Sequence, residues 1–362
     1  MRILYFTSLK EQNESNMSQW QINHFINELR DNEWSVDLYF PENAESIEEI
    51  NEQLIKHVNL SQPDMLLSVF NETLILPSAL EKIRSLGVFS VLICFDNLVA
   101  PFIHKNICKY FDLVWLTSKE TEYLFKHWGA NTIFMPYAAN PKIMDCSACD
   151  NLTYRMAFVG TPYGARKYLL NQMVKTNVPL DIYGTIKGKE NLQSLKLDNK
   201  STKISRLLSF PIGRKLLYAT IKYRLFTKDY SLEGENIHTM QPVSVLQVPH
   251  IYNNYALSLS STSARNTEVL KKNVPIVNLR SFEIPMSYGL QLCRYNEELS
   301  QYFEEDKEIL FYRDEDELVD KVKFYTNEKN DRIIKEMKLS ARKRAEKEHT
   351  WMARFKKLIE YM

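Results

Sequence analysis

The chain has almost no net charge. Its 46 lysines and arginines are balanced by 45 aspartates and glutamates, leaving +1 at pH 7. No global field therefore draws it to nucleic acid or anionic lipid, and an electrostatic partner has to be read from local patches. Long apolar runs are missing too, and none approaches the ~20 residues that span a bilayer. The opening Met1-Arg2-Ile3-Leu4-Tyr5-Phe6 is too short for a secretion signal, and polar residues follow at once. The expected location is cytoplasmic, with peripheral contact at the inner face of the membrane left open. Cysteine is scarce: Cys94, Cys108, Cys146, Cys149 and Cys293 form an odd, scattered set, which predicts reduced thiols. Cys146-x-x-Cys149 has no second Cys or His pair nearby, whereas zinc takes four ligands, so two linker thiols are expected there and no metal site. No G-x-G-x-x-G follows the first apolar run, which argues against a nicotinamide dinucleotide enzyme.

What is present alternates. With 362 residues, two domains are the first expectation. Apolar runs at 3–7, 36–40, 64–70, 89–95, 113–117 and 132–135 read as strands. Helical spacing lies between them at 17–30, 47–58, 76–86 and 120–128. This pattern predicts a Rossmann-like domain with a parallel sheet over 1–140. Residues 141–153 lack periodicity and read as a linker. The alternation then resumes, with strands expected at 155–159, 180–183, 255–259, 276–278 and 290–293. Helices are expected at 165–175, from 284, at 316–325, at 331–348 and at 351–361. A second Rossmann-like domain over 154–345 follows, with a last helix in 346–362 that crosses back to the first. Two such halves facing one another would leave a ligand cleft between them.

Residues 185–247 are too long for one crossover and read as an insertion. Within it, 203–228 carries Lys203, Arg206, Arg214, Lys215, Lys222, Arg224 and Lys228 and no acid, interleaved with apolar and aromatic residues. One reading is a basic amphipathic segment at an anionic membrane surface. The other is a helix pair packed on the second domain with a solvated basic face.

Two segments could carry chemistry. In Gly160-Thr161-Pro162-Tyr163-Gly164-Ala165-Arg166, a strand turns into a helix. The glycines let backbone approach a ligand, the helix start offers N–H groups to a phosphate, and Arg166 adds a cation. The plain alternative is a connecting loop with a surface arginine. In Arg280-Ser281-Phe282-Glu283, a loop enters a short helix that stops at Gly289. A carboxylate there can accept two vicinal hydroxyls, and Arg280 can neutralise a diphosphate without a metal. The plain alternative is that Glu283 caps its helix and Arg280 pairs with it.

The run N-L-R-S-F-E-I-P-M-S-Y-G resembles the R-x-F-E block of the spore-maturation (CgeB-type) glycosyltransferases, relatives of the large retaining GT-B family. F-D-L-V-W-L-T-S, M-P-Y-A-A-N-P, A-F-V-G-T-P-Y-G-A-R, D-I-Y-G, P-H-I-Y-N-N-Y and E-K-E-H-T-W-M-A-R-F agree in order, over roughly residues 90 to 362 less the insertion. The resemblance implies an α/β fold of GT-B architecture, two facing Rossmann-like domains with a cleft between them. It implies a nucleotide-sugar donor, UDP- or GDP-linked, in the second domain, an acceptor against the first, no essential metal or other cofactor, and retention of configuration. It makes Glu283 the ribose contact, Arg166 and Arg280 diphosphate ligands, and Gly160, Tyr183 and Gly184 part of the donor loops. Ser281 and Phe282 would offer backbone N–H groups, and the base would rest near Leu246 and Val248. The sequence departs from the wider retaining pattern at two places. Pro275 stands where the first of two glutamates eight apart is expected, though the segment before Arg280 still offers Thr267 and Glu268. Residues 8–16 stand where a glycine-rich loop is expected.

On the acceptor side Asp96 stands out, at the C-terminal tip of an apolar strand where open α/β sheets place function. His104 follows, and either could take a proton from an acceptor hydroxyl. A turn or cap is the plain reading of Asp96-Asn97, and packing roles are the plain reading of His24 and His250. The reaction expected is glycosyl transfer to a glycan or lipid-linked glycan, with no nucleic-acid partner. A nucleotide-sugar epimerase or hydrolase, or a non-catalytic binding protein of the same fold, is the alternative.

Overall fold

The computed structural model describes residues 1–9, 20–184, 200–226 and 232–362. Most of 8–16, the start of the helix expected from 17, and 185–199 and 227–231 of the insertion, with Lys228, lie outside the described residues. The chain divides into two compact units, one of Met1–Asn140 with Trp351–Met362 and the other of Pro141–Thr350.

The first unit is built on six parallel strands: β1 (Arg2–Phe6), β2 (Ser35–Tyr39), β3 (Met65–Ser68), β4 (Phe89–Cys94), β5 (Leu113–Leu116) and β6 (Thr132–Phe134). Their order is β2-β1-β3-β4-β5-β6. Strands β3 and β5 are buried along their length and β4 is buried after its first residue, Phe89, as expected for central strands covered on both faces. A π-helical turn, Ile22–Ile26, runs into α1 (Asn27–Asp31). Then come α2 (Ile47–Ser61), whose Ser46 side chain caps Glu49 N–H, α3 (Pro77–Ser85) and α4 (Glu122–His127).

The second unit repeats the plan. Its strands are β7 (Thr153–Val159), β8 (Leu180–Tyr183), β9 (Ile237–Met240), β10 (Tyr255–Leu259), β11 (Gln291–Arg294) and β12 (Leu310–Tyr312). The order β12-β11-β10-β7-β8-β9, all parallel, reverses direction between β7 and β10. Its helices are α5 (Arg166–Lys175), α6 (Lys200–Leu208), α7 (Pro211–Phe226), α8 (Val248–Asn254), α9 (Arg280–Met286), α10 (Glu315–Tyr325) and α11 (Asp331–Glu348). Residues 141–150, expected as linker, belong to this unit: Cys146 Sγ lies 3.5 Å from the Ser287 carbonyl oxygen.

Helix α12 (Trp351–Ile359) belongs with the first unit. Glu28, 4% exposed, accepts from Trp351 N–H at 3.2 Å and Met352 N–H at 2.8 Å. A carboxylate thus meets the positive end of α12 inside the protein, where such a contact is strongest. Trp351 and Phe355 are fully buried and pack against Trp115 and Phe25.

Three expectations differ from the structure. Residues 276–278 form no strand; only a bridge between Ser263 and Pro275 forms there, because proline donates no N–H to a ladder. Strands β9 and β12 were not expected. The first sits at an edge with two exposed residues, and the second is only three residues long, so neither leaves a clear periodic signal.

Candidate functional site

In open α/β sheets ligands sit beyond the C-terminal strand ends where strand order reverses. In the second unit that point lies between β7 and β10. Gly160 follows β7 with φ +144°, and its N–H donates to Tyr183 at 2.9 Å. Gly184 follows β8, and a Cβ there would run into the Gly160 carbonyl. Gly184 therefore leaves room for the Gly160 backbone, whereas Gly160 faces open space and holds a φ that side-chain-bearing residues rarely adopt. Arg166, first in α5, stacks its guanidinium 4.4 Å over the Tyr163 ring, and Arg265 approaches the same ring at 6.0 Å.

Asn266 joins this loop to the segment after β10. It holds φ +64°, a left-handed conformation asparagine tolerates, and is nearly buried. Its Oδ1 accepts from Ala165 N–H, and its Nδ2 donates to Thr220 of α7, both at 3.2 Å. Sequence patterning alone missed Asn266 and Arg265, since no motif links them to α5. Thr267 is fully buried and donates to the Ala264 carbonyl at 2.6 Å, a structural role. Glu268 accepts from Ser261 Oγ at 2.7 Å, and burial raises the pKa of its carboxyl against the pull of Arg166 and Arg294. It borders a cleft of about 350 Å³ lined also by Tyr168, Gln172, Ser261 and Arg313.

Arg280 and Glu283 form an ion pair within α9. Glu283 is 2% exposed while Arg280 keeps 38% of its side chain open. Burial opposes the charge on Arg280, but Glu283 and Tyr252 hold its pKa above the ordinary arginine value. Tyr252 is buried beside both charges, and that burial raises its hydroxyl pKa. The structure thus contains the pairing that the plain alternative described, but the cap of α9 is not a side chain.

Two other expectations are corrected here. Ser281 and Phe282 have no free N–H: Ser281 donates to the Asn278 carbonyl and Phe282 to that of Leu279, each at 3.0 Å. Glu283 N–H also donates to Leu279, at 3.1 Å, so the tight first turn consumes the donors that a diphosphate would need. The Phe282 ring is core, packed among Tyr302, Phe303 and His349. Tyr183 is also committed elsewhere. Its hydroxyl lies 2.9 Å from that of Tyr255, which donates to Asp181 at 2.5 Å, and Asp181 is held by Arg155 at 2.7 Å.

Val248 is buried at the start of α8, while Leu246 before it is 64% exposed. Val159, the residue before Gly160, packs in one cluster with Val248, Tyr252 and Ile284. That contact gathers the Gly160 loop, the Leu246–Val248 segment and the Arg280–Glu283 helix at the reversal of strand order.

In the first unit, Asp96 follows β4 with φ +56°. It has an open face, yet the packing around it raises its pKa through desolvation, opposed by the Tyr137 hydroxyl 3.4 Å from Oδ1. Tyr137 stacks on Phe95 and meets Trp20 and Trp351 edge-on. Asn97, by contrast, is structural: it binds Thr117, Ser118 and Thr121 and ties the ends of β4 and β5. His104 is 4% exposed, and burial drops its pKa to about 4. A neutral imidazole sealed from solvent is poorly placed to meet an acceptor, and His104 is corrected from catalytic candidate to core residue. His24 is fully buried against Asn140. All five cysteines are free thiols, and among the described residues no three His, Cys, Asp or Glu side chains gather as a metal cluster.

Residues 206–360 match a family model described as glycosyl transferase-like, a span that includes Arg280 and Glu283. No curated protein sequence matches the chain. Among solved structures, a glycosyltransferase from Rickettsia africae is similar at TM-score 0.56 and 9% identity, covering 99% of this chain and 97% of that one. The fold is that of the GT-B glycosyltransferases. Sucrose-phosphate synthase from Thermosynechococcus elongatus aligns at TM-score 0.56 and 11% identity, over 99% of this chain and 98% of that one. Anabaena HepE in complex with UDP-glucose aligns at TM-score 0.55 and 10% identity, over the same shares.

Proposed function

We propose that this GT-B chain is a CgeB-type glycosyltransferase that moves a hexose from a nucleotide diphosphate sugar to a hydroxyl of a glycan or lipid-linked glycan, without a metal and with retention. The observation that carries the reading is the meeting of Val159, Val248, Tyr252 and Ile284, which puts the Gly160 loop and the Arg280–Glu283 pair at one strand-order reversal. The glycosyl transferase-like match over 206–360 supports a sugar-nucleotide donor, and the UDP-glucose held by the similar HepE supports uridine as its nucleoside. Glu283 would take the ribose hydroxyls. Arg280, with its open face, and Arg166 would take the diphosphate. Leu246 and Val248 would flank the base. On the first unit, Asp96 would take the acceptor proton, its raised pKa bringing it closer to neutral pH.

Titration calorimetry with UDP and GDP tests the donor half. Binding of one of them, weakened about 5- to 150-fold by Glu283→Ala, is expected from the loss of a charge-assisted contact of about 1–3 kcal/mol. Asp96→Asn should leave that binding unchanged and abolish transfer to a hydroxyl acceptor, read by mass spectrometry of products. Absence of binding by either nucleotide would refute the donor site, and release of free sugar with no acceptor product would favour hydrolysis.

A further inference from the structure

The insertion presents a surface that the donor site does not use. Helix α7 has two opposite stripes. Phe210 just before it, Gly213, Leu216 and Ala219 are buried, and Gly213 admits the Leu207 carbonyl and the Phe210 ring of the α6 side where no Cβ would fit. The other stripe carries Arg214, Tyr218, Ile221 and Leu225, at spacings of four, three and four, all exposed. Tyr218 is 60%, Ile221 47% and Leu225 70% exposed, and Lys215 and Arg224 flank them. Helix α6 adds exposed Ile204 and Leu208, one turn apart. From 203 to 228 there are seven cations and no acid, in a chain whose total is +1.

We propose that the exposed stripe of α7 docks on an anionic lipid bilayer, with Tyr218, Ile221 and Leu225 in the headgroup boundary and Arg214, Lys215 and Arg224 on lipid phosphates. Charge decides for lipid over the other occupants. A self-complementary contact between two copies would face these cations with the same cations. Nucleic acid would leave the Ile221 and Leu225 side chains without apolar surroundings. A bilayer satisfies both kinds of side chain on one helix face. No described helix is long and apolar enough to cross a membrane, so the contact lies in the interface. The hairpin is held firmly for this task. Lys222 Nζ donates to the Val269 carbonyl at 2.8 Å, and Thr220 is joined through Asn266 to the start of α5. The docking does not depend on which donor is bound.

The test is co-sedimentation of the full chain with vesicles. The chain should pellet with mixed phosphatidylglycerol and phosphatidylcholine and stay in solution with phosphatidylcholine alone. About 0.5 M salt should release most of it. The variant Y218S/I221S/L225S should bind at least about tenfold more weakly, and R214E/K215E/R224E likewise, while both keep the wild-type thermal midpoint. Equal binding to neutral vesicles, or undiminished binding by the serine variant, would overturn the proposal. So would sedimentation velocity showing a dimer that the serine variant dissolves.

Discussion

Lys338 gives the sharpest energetic test of the second unit. Its side chain is 4% exposed, and its ammonium donates to the carbonyls of Asn253 at 2.6 Å and Tyr255 at 2.8 Å. It therefore fastens the end of α8 to the start of β10. Burial drops its pKa from 10.5 to about 7. The unfolded chain then holds a proton between these values that the folded chain has released, so stability must rise with pH across that window. Between pH 7 and 9 the rise from this one group is about 2 kcal/mol, with each full unit of difference contributing about 1.4 kcal/mol. Buried thiols such as Cys146, pushed up to about 11, act in the opposite sense, because the unfolded chain loses their protons first. Wild type and Lys338→Met share those thiols, so the difference between the two proteins reports mainly the lysine, with a smaller part from Cys146, whose thiol Lys338 pulls down. Urea unfolding across pH 7 to 9 should show wild type gaining about 2 kcal/mol on the variant. At the alkaline end the variant should be weaker by about 1–3 kcal/mol, since two carbonyls lose their donor. Stability curves that run parallel with pH would refute the reasoning.

Two further outcomes follow from packing. The buried His104 titrates at about 4 against 6.5 when free, so stability is lost as pH falls through that interval, and His104→Leu should remove up to about 3 kcal/mol of this acid dependence, read by unfolding between pH 4 and 7. Gly184→Ala drives a methyl into the Gly160 backbone and should cost about 1–3 kcal/mol with weaker nucleotide binding, whereas the same change at the unobstructed Gly87 meets only its backbone strain and should leave binding intact.

Asn266 ties together parts of the molecule that motif reading keeps apart. One amide holds Ala165 at the start of α5 and Thr220 on the insertion. The insertion is thus docked on the same loop that flanks Gly160, which gives a basic helix distant in sequence a physical connection to the candidate donor site.

The alternation of apolar runs and amphipathic segments, a local property, was enough to indicate two parallel-sheet domains, since only buried strands need continuous apolar stretches. The R-S-F-E block and the glycine turn were also legible in the chain, because backbone freedom and charge type are carried by single residues. What each side chain does was decided by tertiary packing. Arg280 and Glu283 meet each other, the N–H groups of Ser281 and Phe282 are used within their own turn, and Tyr183 is absorbed by Tyr255 and Asp181. Burial turned His104 from a candidate base into a neutral core residue and left Asp96 with an open face. Desolvation and hydrogen-bond partnership depend on neighbours brought from far along the chain, as with Asn266 and Ala165, and no spacing in the sequence encodes them.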